Sequence, residues 1–471
     1  MAEASITDIL YLVRSLQAKI TGLENKIKVL ERENGDLRYK LHKMELENKR
    51  LQERLSQYEI PPKDSHNSHI PPSKQDLSSK KVRRTKSLRE KSDKPIGGQA
   101  GHPGVSLEFS MQPDQRVDHI PSYCPDCGKD LHDAASLLLE ERWIIDIPPV
   151  IPETTLHRIY GKQCACGCMV HSQAPSFVKG YVSYGSNLKA LVSYLNTEQH
   201  IPYKRLSEIL RDVFNLPVSE GSIYNMLESV KSAGSELYEQ IRRRIESSPV
   251  VGADETGLNI NGKQHWQWSF QTENLTYVYP DASRGKAAID KHFPDGLPQS
   301  WLVTDRHSSY FIMNVRGHQI CLAHLLRELV YLEELEPEEP WPKEMMKLMR
   351  EAIHKRKTVQ WEKIDRNNIL ERFDNLLYGT LKCVNREMEN LKKSLIKHRD
   401  SVFRFLFNPK IPYDNNASER SIRPLKLKQK VSGTFRAFNG ALTYAVIHSL
   451  ADTARKNNQS PFLALQLIAQ L

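Results

Sequence analysis

Pro249-Val250-Val251-Gly252-Ala253-Asp254-Glu255-Thr256-Gly257 is the stretch on which the reading of this chain turns. An apolar run closes on two adjacent acids, the pattern of a buried strand that delivers a carboxylate to its end. Residues 265–271 and 275–279 follow with alternating aromatic positions, so the three segments read as successive antiparallel strands. A helix is expected over 284–293, and Trp301-Leu302-Val303-Thr304-Asp305 then repeats the theme of a buried strand ending in an acid.

Strand, strand, strand, helix, strand is the ribonuclease H-like order. Carboxylates at two neighbouring strand ends can hold a pair of divalent ions about 3.5–4 Å apart, an arrangement suited to in-line displacement at phosphorus. A third acid is found in Asp414-Asn415-Asn416-Ala417-Ser418-Glu419-Arg420-Ser421-Ile422-Arg423-Pro424, which reads as a capped helical turn. Carboxylate oxygens suit Mg²⁺, or Mn²⁺, because these ions are hard. Each acid also has an ordinary reading: Asp254 and Asp305 can cap turns, and Glu419 can pair with Arg423 one helical turn on. Their joint placement favours a site.

Between the second and third acids, Cys321-Leu322-Ala323-His324 opens a helix and reads as packing when taken alone, and residues 335–407 are largely helical and highly charged. Beyond Glu419, the residues Arg420, Arg423, Lys426, Lys428 and Lys430 form a basic run expected to neutralise DNA phosphates. Helices are expected over 441–456 and 461–471, packed on the core.

Upstream, residues 188–195, 203–214 and 219–230 carry helical apolar spacing, with a turn at Pro217 and a capped start at Ser219, which suits a helix-turn-helix presenting Glu220, Ser222 and Asn225. Before it, Cys124-Pro125-Asp126-Cys127 and Cys164-Ala165-Cys166 make two knuckles for a structural Zn²⁺, with Cys168 and His171 as competing ligands and short strands expected over 143–151 and 154–160. Residues 61–95 lack apolar periodicity, and 74–94 holds nine basic and three acidic residues, among them Lys80, Lys81, Arg83 and Arg84. A Gly-rich stretch follows at 94–104, where the backbone can approach phosphate closely.

At the N-terminus, Leu16, Leu23, Leu30, Leu37, Met44, Leu51 and Tyr58 occupy heptad d positions, with Ile20, Ile27, Asn34, Leu41, Asn48 and Leu55 at a. An apolar seam with asparagines at two a sites predicts a parallel two-stranded coiled coil, hence a homodimer. The whole chain has 471 residues and 67 Lys plus Arg against 57 Asp plus Glu, a net +10 that favours a polyanionic partner. No signal peptide and no membrane span are read, so the expected location is cytoplasmic and nucleoid-associated.

Taken together, the zipper, the 94–104 stretch, the knuckles, the Ala253-Asp254-Glu255-Thr256-Gly257 box, Thr304-Asp305-Arg306 and the 415–424 box resemble the DDE transposases of the bacterial insertion-sequence sixty-six type. The resemblance implies a triad of Asp254, Asp305 and Glu419, metal-dependent DNA cleavage and strand transfer, and action on terminal inverted repeats and target DNA, with room for accessory proteins. Cys321 and His324 look like a Cys-x-x-His motif of related transposases. The contracted second knuckle departs from the family's spacing. Two other functions fit the same elements: a zipper-dimerised DNA-binding regulator with an inactive core, and a structure-selective DNA nuclease.

The expected fold class is multidomain, α+β with an α/β core. In order come a dimerising coiled coil (1–60), a basic flexible linker with a Gly-rich stretch (61–105), a zinc-binding module with Cys124, Cys127, Cys164 and Cys166 as ligands (106–180), and a helix-turn-helix-like DNA-binding segment (181–247). There follow the first part of a ribonuclease H-like catalytic core (248–334), a helical insertion (335–407), and the second part of the core with Glu419 and the C-terminal helices (408–471).

Overall fold

The structure, a computed structural model, describes residues 6–59, 63, 112–148, 150–178, 180–382 and 385–471. The linker readings, including Lys80, Lys81, Arg83, Arg84 and the 94–104 stretch, lie outside the described residues. In chain order the elements are α1 (Ile6–Glu59), β1 (Gly161–Gln163), β2 (Met169–His171), α2 (Ser186–Thr197), α3 (Tyr203–Phe214), α4 (Glu220–Ala233), α5 (Ser235–Glu246), β3 (Val250–Ile260), β4 (Lys263–Gln271) and β5 (Thr276–Asp281). They continue with α6 (Lys286–Asp290), β6 (Leu297–Thr304), α7 (Ser308–Phe311), β7 (Val315–Ile320), α8 (Leu322–Leu335), α9 (Trp341–Thr358), α10 (Arg366–Tyr378), α11 (Arg386–Lys397), α12 (Asn416–Ser432), α13 (Phe438–Lys456) and α14 (Pro461–Ile468). The chain divides into two compact units, Met1–Lys86 with His318–Asp414, and Ser87–Gly317 with Asn415–Leu471.

The second unit is built on a five-stranded mixed sheet in the order β5-β4-β3-β6-β7. Antiparallel pairing joins β3 to β4 and β4 to β5, and the β3–β4 hairpin turns at Asn261-Gly262 with both residues at positive φ, as a tight two-residue hairpin requires. β3 and β6 run parallel, from Val250↔Trp301 to Gly252↔Val303. The fold class is thus mixed helix and sheet.

β5 lies at the sheet edge yet is buried at every residue. α13 covers it and serves its outward backbone: the Val278 N–H donates to Ser449 Oγ (3.0 Å), and the Thr276 N–H to Thr453 Oγ1 (3.1 Å). An edge strand so capped cannot recruit a foreign strand. Beneath it Trp268, Phe270, Tyr277, Tyr279 and Phe293 interlock, with Tyr238 of α5 stacked on Tyr277 and bonded through its hydroxyl to the Val278 carbonyl (2.8 Å).

The helices before the sheet follow the sequence signals. α3 ends at Asn215, whose left-handed φ of 52° stops the helix, and Ser219 caps α4 by accepting the Ser222 N–H (3.1 Å). Glu220 and Asn225 are exposed, and Ser222 is half-buried against Ser219.

Residues 143–160 correct the sequence reading, because no strand forms among those described. Prolines at 148 and 152 remove ladder donors, and the apolar side chains stay in solvent, Ile144 93% exposed. The strands of this region are instead β1 and β2, which pair antiparallel from Gly161↔His171 to Gln163↔Met169.

In the other unit, α8 to α11 pack around Leu325, Leu329, Met345, Met349, Phe373, Phe403 and Phe405. Gln319 is fully buried and fully used there, donating to the Ile320 and Val402 carbonyls and accepting the Phe405 N–H. The 54-residue α1 is unbroken, and its apolar seam is open to solvent within one chain, Leu23 at 59% and Leu37 at 62%.

Candidate active site

Strand alternation decides which way the first acid faces. In the β3–β4 register Gly252 stands opposite Gln271 and Asp254 opposite Ser269, and directly opposed residues share a face of the sheet. Ser269 Oγ is hydrogen-bonded to Ser421 Oγ (2.7 Å) and Gln271 Nε2 donates to Ser418 Oγ (3.3 Å), so α12 packs on the face that carries Asp254. Glu419 sits in the first turn of that helix, its side chain largely buried, with Arg423 Nη2 3.4 Å away one turn on.

Asp305 arrives by the parallel pairing. The last β3–β6 pair is Gly252↔Val303, and Asp254 and Asp305 each lie two residues beyond it, in neighbouring chains running the same way. Oδ1 of Asp305 accepts the His307 N–H (2.8 Å), which fixes the turn after β6.

These placements meet in the electrostatics of Asp254. Burial pushes its carboxyl well above the ordinary range, and the charges of Glu255, Asp305 and Glu419 push the same way, against a single N–H from Glu255 (3.0 Å). Acids from separate stretches of chain therefore bear together on Asp254. Among the described residues no group of three or more His, Cys, Asp or Glu side chains is arranged to hold a metal ion, so the acids are electrostatic neighbours rather than a closed cage.

Sequence reasoning passed over the opposite face. Glu255 stands opposite Trp268, its side chain almost completely buried, where Arg284 donates to Oε1 through Nε (2.9 Å) and Nη2 (2.8 Å) and Tyr310 donates to Oε2. Arg284 also lies over the Trp266 ring, 4.6 Å from its centre. The signal was present in the box itself, where two successive acids on a strand must face opposite ways.

The basic run after Glu419 divides. Arg420, Arg423 and Lys430 are exposed, while Lys426 is half-buried with Nζ on the Gly257 carbonyl (3.2 Å). Lys428 departs from the expected interface: it is buried, its ammonium donates to the Asn196 main chain (3.0 Å) and side chain (3.1 Å), and burial lowers its pKa to about 8. It lies on the same helical stripe as Ser421 and Leu425, so it faces the protein.

The cysteines form two separate loops. In the first, the Gly128 N–H donates to the Cys124 carbonyl (2.9 Å) with Gly128 at a φ of 71°, and hydrogen bonding to Cys127 and the local backbone lowers the Cys124 thiol pKa. In the second, Cys164 and Cys168 close the β1–β2 turn around Gly167, at a φ of 90°, and backbone and thiol contacts with Cys168 and Cys164 lower the pKa of Cys166. Cys124, Cys127, Cys164 and Cys166 are not gathered into one cluster. Cys321 is buried at the start of α8.

A family model described as Transposase IS66 family matches residues 181–443, a span that includes Asp254, Asp305 and Glu419. No curated protein matches the chain. Among the described residues no helix is long and apolar enough to cross a membrane.

Proposed function

The chain belongs to the IS66 family of transposases, and from that premise we propose that it cuts the ends of a DNA element and joins them to target DNA, with Asp254, Asp305 and Glu419 as the catalytic acids. The observation that carries this reading is that Asp254 and Asp305 each lie two residues past the last β3–β6 pair while the helix of Glu419 packs on the sheet face of Asp254, in keeping with the acidic neighbours and burial that raise the Asp254 pKa. A sheet with a central β3, two antiparallel neighbours on one side and a parallel β6 on the other is the arrangement expected of a ribonuclease H-like core.

The donor set suits Mg²⁺ or Mn²⁺: hard carboxylate oxygens, mutually repelling and partly withdrawn from water, are stabilised by a small cation among them. Asp254, Asp305 and Glu419 would be the residues to hold such an ion, which would supply Lewis-acid stabilisation of charge on phosphate oxygens. In the first step water attacks a phosphodiester at the element end, forming one P–O bond and breaking another to free a 3′-hydroxyl. In the second step that hydroxyl attacks a target phosphodiester by the same in-line exchange. Arg420, Arg423 and Lys430, exposed on the helix of Glu419, would neutralise the backbone on either side of the cut, as would Lys80, Lys81, Arg83 and Arg84.

Two structural roles complete the proposal. A second copy covering the seam of α1 would give a homodimer that brings two element ends together, while the two cysteine loops, separate in this structure, would have to close on each other to share one structural Zn²⁺ through Cys124, Cys127, Cys164 and Cys166.

The deciding experiment incubates the full chain with end-bearing duplex DNA and Mg²⁺. Asp254→Asn should abolish nicking, a loss of at least about a thousandfold in rate, while leaving DNA affinity within twofold. Undiminished nicking by that variant would remove Asp254 from the catalytic set. Cutting of branched DNA with no joining would point to a nuclease instead.

A further inference from the structure

We infer that Asn415 is a positioning residue for the proposed triad, its side-chain amide tying the strand of Asp254 to the helix of Glu419. The inference rests on the catalytic reading of those acids and adds a residue to it.

An asparagine just before a helix ordinarily spends its side-chain oxygen on the helix's own first N–H groups. Asn415 makes no such cap bond. Its Nδ2 donates across to the Ala253 carbonyl (2.7 Å), and its Oδ1 accepts from Ser418 Oγ (2.6 Å). Ala253 and Asp254 share one peptide unit, so the first bond fixes the plane from which the Asp254 side chain departs. On the other side, the main-chain carbonyl of Asn415 accepts the N–H of Glu419 (3.2 Å). One residue thus holds the peptide before one acid through its side chain, and the peptide of another through its backbone.

The surroundings leave this contact little freedom. Asn415 is 2% exposed and Ser418 is fully buried, and Gln271 of β4 donates to the same Ser418 hydroxyl (3.3 Å). Space for the cluster comes from Gly252: a Cβ there would stand 2.5 Å from Gln271 Nε2, 2.6 Å from Ser418 Oγ and 2.9 Å from Asn415 Oδ1. Ala253 also lies one residue past the last β3–β6 pair, where the parallel ladder has run out. The chemistry demands an amide. An aspartate of the same shape would set an acceptor against the Ala253 carbonyl and add a carboxylate where three acids already crowd Asp254.

The test uses the full chain with Asn415→Ala, Asn415→Asp and Ser418→Ala, following Mn²⁺ binding by calorimetry without DNA, end-DNA affinity, cleavage rate and the thermal midpoint. Both Asn415 variants should bind Mn²⁺ about 10–100-fold more weakly and lose kcat in proportion, while KM for end DNA stays within about twofold, because a residue that orients a ligand affects the ion rather than the DNA. Ser418→Ala, which removes the donor to Asn415 Oδ1 and the acceptor of Gln271 Nε2 but leaves the bond from Asn415 to Ala253 in place, should lose a few-fold in both. Wild-type Mn²⁺ affinity and kcat in Asn415→Asp would overturn the inference, as would a loss confined to DNA affinity. If Asn415→Ala shows no cooperative melt, Ser418→Ala decides, and unchanged Mn²⁺ binding there overturns it. Asp254→Asn in the same assays separates the two levels: if it cleaves, the triad itself fails; if it is inert while the Asn415 variants are normal, only the positioning role fails.

Discussion

Burial of a histidine among charged groups is costly unless each ring nitrogen has a partner of the right kind, and His448 meets that condition in one protonation state. Its Nδ1 lies 3.0 Å from Glu198 Oε1 and its Nε2 3.2 Å from the Ser421 carbonyl, two acceptors that only an imidazolium can satisfy together. Burial alone would lower its pKa, but the bond and charge of Glu198, with Asp452 beyond, outweigh it and raise the pKa above 6.5. Burial likewise acts to raise Glu198, but His448 and Arg455 hold it to about 2. The charges of Lys428, Glu198 and His448 reach His200, Lys428 lies 5.5 Å from the Tyr444 ring centre, and Tyr444 stacks on the His448 ring at 5.5 Å. The sign follows from linkage. His448 stabilises fully below pH 6.5 and loses its contribution as pH rises through its folded value, whereas Glu198 contributes above 4.5 and fades toward 2. His448→Phe should therefore cost about 3 kcal/mol at pH 6, with the deficit shrinking as the pH is raised. Melts of both proteins across pH 5–9 check this, and a deficit constant with pH would show that the ring is neutral throughout. Nothing in the sequence around His448 marks it, since its partners come from the residue that follows α2 and from α12.

At the scale of the element, α12 does three things with one helical period. Ser418, Ser421, Ile422, Leu425 and Lys428 face inward, Glu419 stands at the first turn, and Arg420, Arg423 and Lys430 look outward. Basic residues counted along the chain are one run, but a helix separates them by angle. The salt dependence of DNA binding should divide accordingly. Arg420→Gln and Arg423→Gln should each reduce the slope of log affinity against log salt by about 0.9, and Lys428→Met should leave it unchanged. An equal fall in slope for Lys428→Met, in a protein with an unaltered melt, would place Lys428 on the DNA side after all. The same contrast separates the acids from their supports. The stretches that carry Asp254, Asp305 and Glu419 stood out because strand ends and a helical box have local signatures. The amide of Asn415 against Ala253 did not, because its two ends lie 162 residues apart.

For the whole molecule, each unit shows what one chain can bury by itself. The sheet unit hides its aromatic core and its edge strand, whereas α1 leaves Leu16, Leu23, Leu30 and Leu37 half or more in solvent. Pairing with a second copy is the expected remedy, and Leu23→Glu with Leu37→Glu should convert a dimer to a monomer by sedimentation, weakening two-end synapsis but not single-end binding. A wild-type monomer would remove the seam from assembly. The sequence by itself determined the long helix, the helices before the sheet with the Ser219 cap, and the order of strands, since periodicity, caps and turn residues act over a few neighbours. Only the tertiary structure decided that the described residues of 143–160 form no strand, that Lys428 faces inward, that Glu255 is clamped by Arg284 and Tyr310, and that β3 and α12 meet over a glycine. Those outcomes depend on which distant surfaces compete for the same buried space, and no local pattern records that competition.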